Sequence, residues 1–561
     1  MKNIWRKNNR YQQEEPAEMV QEKARLALAG ELQDQYRKGR DYQQAMGLNN
    51  TWQENERMKV GQQWPLAGPR TKHLPRPVFN IVEQIISHKT ASIVNENLKL
   101  SFSPEVAESQ TPRAQYAAEL YSGYAANLWQ ELEQSALNEQ VLDAAATYGT
   151  GIWHYYWDNS YIGGGSRKYC GTLQGEMIDP ANCFFGNPQV ADVQKQPWII
   201  IAKREPVAAA QARARANRLP DSLISADQLN QDRQHQAGRT ELDRSEMVTV
   251  LTRYQRKADG RIWYCQSAGG VAVTMPVSLG LQRYPLEAFN WKLRKGSIYG
   301  VSEVEGIIPN QKAINFIMAM LMLSVQDTAW PKLVAKPGAL NQQLTNMPGE
   351  VVFDNYLAGE GIRYLNGAPL SVGALGLADK VYDLTRNISG AHQVATGEIH
   401  SRNLSGAAIM ALQRAASVAT EPIKRRFLRS LVNIGRIWED FLKHKYTTER
   451  LLVLGNDQGN QRLIDFVAAD YADVPLALKI DAGAAADYSE VLMMTTIDNF
   501  LAAGHITFEE ALEFMPAAAV PFREALLRRI AVRREAEATL MAAELLQEFD
   551  QVIAPPGTDE N

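Results

Sequence analysis

The chain has 561 residues, 45% of them hydrophobic and 22% charged, and a formal net charge of −4. That length allows roughly two to four domains and a sizeable core, and the mild acidity excludes a protein that clings to nucleic acid by bulk positive charge. The cysteines are only Cys170, Cys183 and Cys265, with no CxxC pair; three scattered thiols exclude a disulfide framework and a zinc site and suit a reducing compartment.

Met1–Tyr11 is polar and basic without an apolar core, unlike a secretory signal. No apolar run approaches the roughly 20 residues needed to span a bilayer. A soluble chain made in a cytoplasm is expected. Residues 1–14 read as disordered. Pro16 to about Arg40 reads as a charged helix with Met19, Ala24, Leu26, Leu28 and Leu32 as a weak stripe. Thr51–Val60 is a second helix, opened by a Thr51/Glu54 capping box. Arg76-Pro-Val-Phe-Asn80 starts a third, through Asn95, and Leu98–Phe102 alternates like a strand. Thr111–Tyr148 reads as one long amphipathic helix with Tyr116, Leu120, Tyr124, Leu128, Leu132 and Leu142 inward.

Strands are predicted at Ile152–Trp157, Thr172–Ile178 and Trp198–Lys203, with a turn at Asp179-Pro-Ala-Asn182. Pro206–Ala216 is helical, and residues 217–245 form a polar surface segment. Glu246–Arg256 and Arg261–Gln266 make a hairpin around Asp259-Gly260, a favoured tight-turn pair.

From Gly300 to Tyr446 the pattern changes. Val301–Val325 carries Ile307, Ile314, Met318, Leu321 and Val325 at helical spacing, and Phe316–Leu323 is apolar on every side. A helix that is apolar all round must be buried all round. Trp330-Pro331 ends it. About forty residues later Leu377, Val381, Leu384, Ile388 and Ala391 form one stripe, with Asp379, Asp383 and Arg386 facing away. The loop Gly397-Glu-Ile-His-Ser-Arg-Asn-Leu-Ser-Gly406 follows, and Ser405 can cap the next helix. That helix, Ala407 to about Lys445, would be roughly 60 Å long and kinked by Pro422. Two helices with such faces cannot satisfy themselves in one thin hairpin. Part of their apolar surface is therefore expected against a neighbouring copy; the alternative is the helical core of a monomeric domain. Strands return at Leu451–Leu454, Leu463–Val467 and Ala477–Ile480. The chain is helical again from Tyr488, with a Thr507/Glu510 capping box and a long helix at Phe522–Phe549, before a polar tail at Ala554–Asn561.

Catalytic constellations are missing: there is no GxxxxGK[ST], HExxH, GxSxG or GxGxxG. A helix end and a glycine separate His392 from His400, which argues against a metal site. Asp379 and Asp383 read first as a solvated charged face. Lys424-Arg-Arg426 with Arg429 also reads first as a solvated face, with phosphate contact as the second reading. Trp64, Trp153, Tyr155 and Trp157 read as packing residues.

Several short motifs occur in an order that resembles bacteriophage portal proteins, the head-to-tail connectors of tailed phages. They are Gly61-Gln-Gln-Trp64-Pro65 with Arg76-Pro-Val-Phe-Asn80-Ile, Tyr148-Gly-Thr-Gly151, Ile178-Asp-Pro-Ala-Asn182 with Phe184, and Ser297-Ile-Tyr-Gly300 with Glu303. Ile308-Pro-Asn-Gln311 with Asn315 follows, and then Thr396-Gly397 with Asn403-Leu-Ser-Gly406-Ala-Ala-Ile409. The resemblance covers most of the chain and implies an α+β, mainly helical subunit. Residues 1–299 and 406–484 would form a wing containing the long kinked helix. Residues 300–328 and 373–396 would be stem helices, and 329–372 a clip. Residues 397–405 would be a tunnel loop, and 485–561 crown helices and a tail.

The resemblance further implies a ring of twelve copies around a double-stranded DNA channel at the capsid vertex of a virion, assembled in the host cytoplasm. Its partners would be the terminase large subunit, head-completion or neck proteins, and the major capsid or scaffold protein, with no membrane. Glu398, His400, Ser401, Arg402 and Asn403 would face the DNA, touching its backbone without reading sequence. Ile314, Met318, Leu321, Leu377, Val381 and Leu384 would form the stem interface between subunits. No catalytic residue, metal or cofactor is implied. Two other readings stay open: a nucleic-acid-processing enzyme, and a helical scaffold or adaptor without a channel.

Overall fold

A computed structural model describes residues 17–69, 71, 72, 74–94, 98–105, 111–164, 168–227, 247–329, 332–338, 362–365, 372–390, 418–455, 461–481, 490–515, 522, 523 and 525–533. Helix and strand are mixed, so the α+β expectation holds.

The first helix, α1 (Ala17–Ala45), buries a different stripe from the one its leucines suggest. Arg25, Ala29, Leu32 and Tyr36 are inside, whereas Met19 and Leu26 are exposed. Arg25 can be buried because its guanidinium donates to the carbonyls of Ala272 and Pro220 at 2.9–3.2 Å, which offsets the loss of water. The helix α2 (Leu48–Lys59) starts three residues before Thr51, after Gly47 at φ 67°. Thr51 accordingly donates to the Gly47 carbonyl and forms no capping box. α3 (Ile81–Ile93) is capped by the Asn80 side chain, which accepts from the Glu83 N–H.

After β1 (Lys99–Pro104), the expected single helix over 111–148 is two helices, α4 (Pro112–Glu131) and α5 (Gln134–Tyr148). The chain breaks at Leu132–Glu133, where Glu133 adopts φ 47°. Nothing in the sequence marks this, since neither glycine nor proline is present.

Two antiparallel sheets follow. β2 (Thr150–Gly163) lies between β3 (Tyr169–Ile178) and β9 (Leu286–Asn290). The second sheet has the order β4 (Cys183–Phe185), β5 (Trp198–Pro206), β6 (Met247–Arg256), β7 (Ile262–Ala268) and β8 (Val271–Ser278). α6 (Val207–Ala216) follows β5. Strand residues alternate between faces, which sorts the core of this second sheet. Leu251 joins Ile200 and Phe184 under Leu32 and Tyr36 of α1. Val248 and Val250 join Val273 under Ala210 and Ala214 of α6.

α7 (Val304–Ala329) packs against α2, α3 and α5. β10 (Lys332–Ala335) and β11 (Ile362–Leu365) pair antiparallel beyond it, and α8 (Val372–Ser389) packs alongside α7.

α9 (Glu421–Lys445) follows the turn 418–420. Pro422 therefore stands in its first turn and does not kink a helix interior; there its missing N–H costs nothing. Residues 407–417 of the expected helix lie outside the described residues. The inward face of α9 is Ile423, Phe427, Leu431, Ile434, Trp438 and Phe441, set against β9 and α4. β12 (Arg450–Gly455) and β13 (Gln461–Phe466) form a hairpin, and β14 (Leu476–Asp481) pairs with β1.

A second compact unit comprises residues 97–99 and 481–561. It contains α10 (Glu490–Ala502) and α11 (Phe508–Phe514), joined through Ile497, Ala511 and Met515. The expected Thr507/Glu510 capping box opens α11. Of the expected helix at 522–549, residues 525–533 are described and helical.

Candidate assembly surface and channel elements

Most of the scattered motifs converge on the base of α7. Gln311, about two turns into that helix, accepts from the N–H groups of Ile81 and Val82 at 2.9 and 3.3 Å and donates to the Phe79 carbonyl at 2.6 Å. It thus caps α3 from another element, satisfying donors that every helix start leaves open. Asn315, one turn on, donates to Gln63 at 2.6 Å, and Gln63 donates to Asn80 at 3.0 Å and to the Met58 carbonyl at 2.8 Å. Each amide in this buried chain finds partners, and a satisfied polar network fixes one geometry.

Below it, Thr150 donates to Asn290 at 2.7 Å and accepts from the Gly300 N–H at 2.8 Å. Gly149 sits at φ 90°, and a Cβ there would stand 2.7 Å from the Gly300 carbonyl, so the two segments touch through bare backbone. Tyr299 donates to the Cys183 carbonyl at 2.8 Å. Trp64 donates to the Pro77 carbonyl at 2.8 Å.

Charge is buried at the same joint. Glu303, just before α7, binds Lys89 at 2.7 Å, Lys292 at 2.9 Å and the Trp291 indole at 2.9 Å. Burial disfavours the Glu303 carboxylate, but the two lysines outweigh it and hold its pKa below the ordinary value. Burial pulls the Lys89 pKa down more strongly than Glu303 restores it. Glu287, on β9, is pushed up to about 7 by burial, with hydrogen bonds from Asn433 and Ser430 in part opposing that. Asn433 lies 2.8 Å away on α9.

The stem-interface candidates divide. Ile314 and Leu321 are buried against their own chain, and Met318 and Val381 are half-buried. Leu377 and Leu384 are 52% and 51% exposed, and Ile388 is 77% exposed. The sequence places Arg386 on the outward side of α8 together with Asp379 and Asp383. The structure buries Arg386 with Ala378, Thr385 and Ser389, its guanidinium 5.5 Å from the Tyr382 ring. Asp379 and Asp383 are exposed. On α7 the exposed apolar side chains are Phe316, at 60%, with Met320, Met322 and Val325. Phe316, Met320 and Met322 belong to the all-round apolar run, whereas Val325, expected in the inward stripe with Ile314 and Leu321, is exposed. A cavity of about 630 Å³ opens beside Phe316, lined also by Arg57, Trp64, Leu66 and Lys312 among others.

The tunnel-loop candidates Glu398, His400, Ser401, Arg402 and Asn403 lie outside the described residues, as does His392. Trp153 and Tyr155 are core residues, as expected. Among the described residues no group of three or more His, Cys, Asp or Glu could hold a metal ion. Among them, too, no helix is long and apolar enough to cross a membrane.

Against this geometry stands one family match: residues 193–494, more than half of the chain, match the model described as Phage P22-like portal protein. No curated protein matches the chain.

Proposed function

The chain belongs to the P22-like phage portal protein family, and we propose that it acts as a closed ring, of twelve copies by the family resemblance, through which double-stranded DNA is packaged and ejected. The observation that carries this reading is the outward apolar stripe of α8, Leu377, Leu384 and Ile388, together with Phe316 and Met320 on α7. Exposed apolar surface that continues along a helix marks an interaction site. A cyclic ring buries such a surface on every subunit, each copy covering the next.

In this assembly α7 and α8 are the stem, and residues 397–405 are the loop facing the DNA. The segment 329–372 is the platform on which the terminase large subunit docks during packaging and head-completion or neck proteins dock afterwards. The wing and crown meet the major capsid or scaffold protein. The role is structural, and the energy for translocation comes from the separate motor. A ring of mildly acidic subunits repels phosphate on average, so DNA slides past sparse contacts and is not clamped.

Mass photometry tests the ring: a large closed oligomer is expected, and monomer alone under assembly-permissive conditions refutes it. Deleting residues 398–404 should leave rings intact and damage packaging or retention of DNA. Unimpaired packaging by that variant removes the loop assignment.

A further inference from the structure

The basic run at the start of α9 does not stand alone. Arg425, Arg429 and Arg436 are exposed along that helix at spacings of four and seven residues, which puts them on one ridge about 16 Å long at 1.5 Å per residue. Lys424 and Arg426 flank them, both half-exposed. Arg426 donates to the Trp291 carbonyl at 2.6 Å, and that bond draws in a second basic segment 135 residues earlier in the chain. There Lys292 and Lys295 are exposed and Arg294 is half-exposed.

The acids nearby do not neutralise this surface. Arg425 meets Glu421 only at 3.8 Å, and Arg294 meets Glu305 at 3.8 Å. Glu303 binds Lys292 but is already paired with Lys89. Arg429, Arg436 and Lys295 have no ion pair among the described residues. On a chain of net charge −4, such a concentration of cations is local.

We propose that this ridge, Arg425–Arg429–Arg436 with Lys292, Arg294 and Lys295, is a binding surface for the phosphodiester backbone of duplex DNA, separate from the loop at 397–405. The chemistry is that of a polyanion. Between its cations the ridge exposes no large apolar side chain of α9: Leu428 and Val432 are both half-buried. In the second segment Leu293 is exposed, as a single apolar side chain among three cations. The centre of a protein–protein interface is enriched in aromatic side chains and Met as well as Arg, and depleted in Lys; here the aromatic side chains of α9 are all buried and Lys292 and Lys295 are exposed. Arginine suits phosphate because its planar fork donates two parallel hydrogen bonds. A 16 Å length of duplex axis carries about nine phosphate charges, enough to engage all three arginines. The choice of duplex DNA as the polyanion rests on the portal reading; the contacts carry no sequence information.

The test uses the full-length chain and a fluorescent duplex of about 30 base pairs, titrated across a salt series. The variant is Arg425→Gln, Arg429→Gln and Arg436→Gln together. The control, Lys23→Gln, Arg37→Gln and Lys38→Gln, removes the same charge from the exposed side of α1. The ridge variant should bind about tenfold more weakly or worse, equally for two unrelated sequences. The slope of log K against log salt should flatten by about three, one unit for each phosphate that is no longer neutralised, while the control stays near wild type.

An equal loss in the control makes the effect one of bulk charge and overturns the proposal. Loss of ring assembly with unchanged DNA affinity makes the ridge a contact between copies and overturns it too, as does unchanged affinity with rings intact. Mass photometry of the wild type separates the two claims: a chain that stays monomeric sinks the ring, whereas the ridge stands or falls on the salt slope.

Discussion

α8 and α9 are both amphipathic, yet they use their faces in opposite ways. α9 buries Ile423, Phe427, Leu431, Ile434 and Trp438 against its own chain and turns arginines to solvent. α8 turns Leu377, Leu384 and Ile388 outward and keeps Thr385, Arg386 and Ser389 inside. Burial of apolar surface is the main stabilising term in folding and in association alike. α9 therefore takes its stability from the folding of the subunit, whereas in the proposed ring the outward face of α8 would take its own from the meeting of copies.

The largest expected effect falls on the first of these. Phe427 is fully buried, with ring centroids 5.8 Å from Phe289 and 6.1 Å from Trp153. Phe427→Ala removes that packing and leaves a cavity, at a cost of about 3–5 kcal/mol. Urea unfolding at protein concentrations where the subunit is monomeric should show a much lower midpoint. A midpoint unchanged from wild type would mean that α9 does not carry the stability of this body.

Next comes the joint between α9 and β9. The folded pKa of Glu287 is raised to about 7 from 4.5. Its carboxyl is protonated in the folded chain where the unfolded chain has already ionised it. Between about pH 4.5 and 7 the folded state holds the extra proton, so this group makes stability fall as pH rises through that window. The burden is fully present above pH 7 and absent below about pH 4.5. Glu287→Gln keeps an acceptor for Asn433 and removes the charge. It should raise stability at pH 8 by about 1–3 kcal/mol, with the gain vanishing towards pH 4.5. Parallel wild-type and variant stability curves across that range would show that Glu287 titrates normally.

The same contrast explains what the sequence conveyed. The period of an amphipathic helix tells which side is apolar but not what covers it. The stripe of α8 is thus readable in the sequence and its surroundings are not. Arg386 looked like an outward residue because charge usually is, and only Tyr382 and the packing around it reverse that. In the sequence, Pro276 interrupts the apolar run of β8. The structure places β8 at the edge of the sheet, where a strand tolerates proline. The break at Glu133 carries no local signal at all. By contrast, the motif residues Gln63, Asn80, Thr150, Gln311 and Asn315 were recognisable in order. Their common purpose, a hydrogen-bonded socket for α7, exists only once partners as far as 252 residues apart in the chain have met. Tertiary contacts of that separation leave no periodicity to read.

The smallest expected effect on the subunit is the sharpest test of the comparison. Leu377→Ser, Leu384→Ser and Ile388→Ser alter side chains that are already half or more exposed. Substitutions at such positions usually change stability by less than about 0.5 kcal/mol each, so the monomer's urea midpoint should barely move. If the outward stripe of α8 is covered by a neighbouring copy, the same variant gives up apolar burial at every interface of a ring at once. Mass photometry should then show subunits where wild type shows a closed oligomer. An intact oligomer with this variant places the contact between copies elsewhere on the surface. A large fall in monomer stability instead means that α8 shelters its stripe within the chain, and the distinction from α9 disappears.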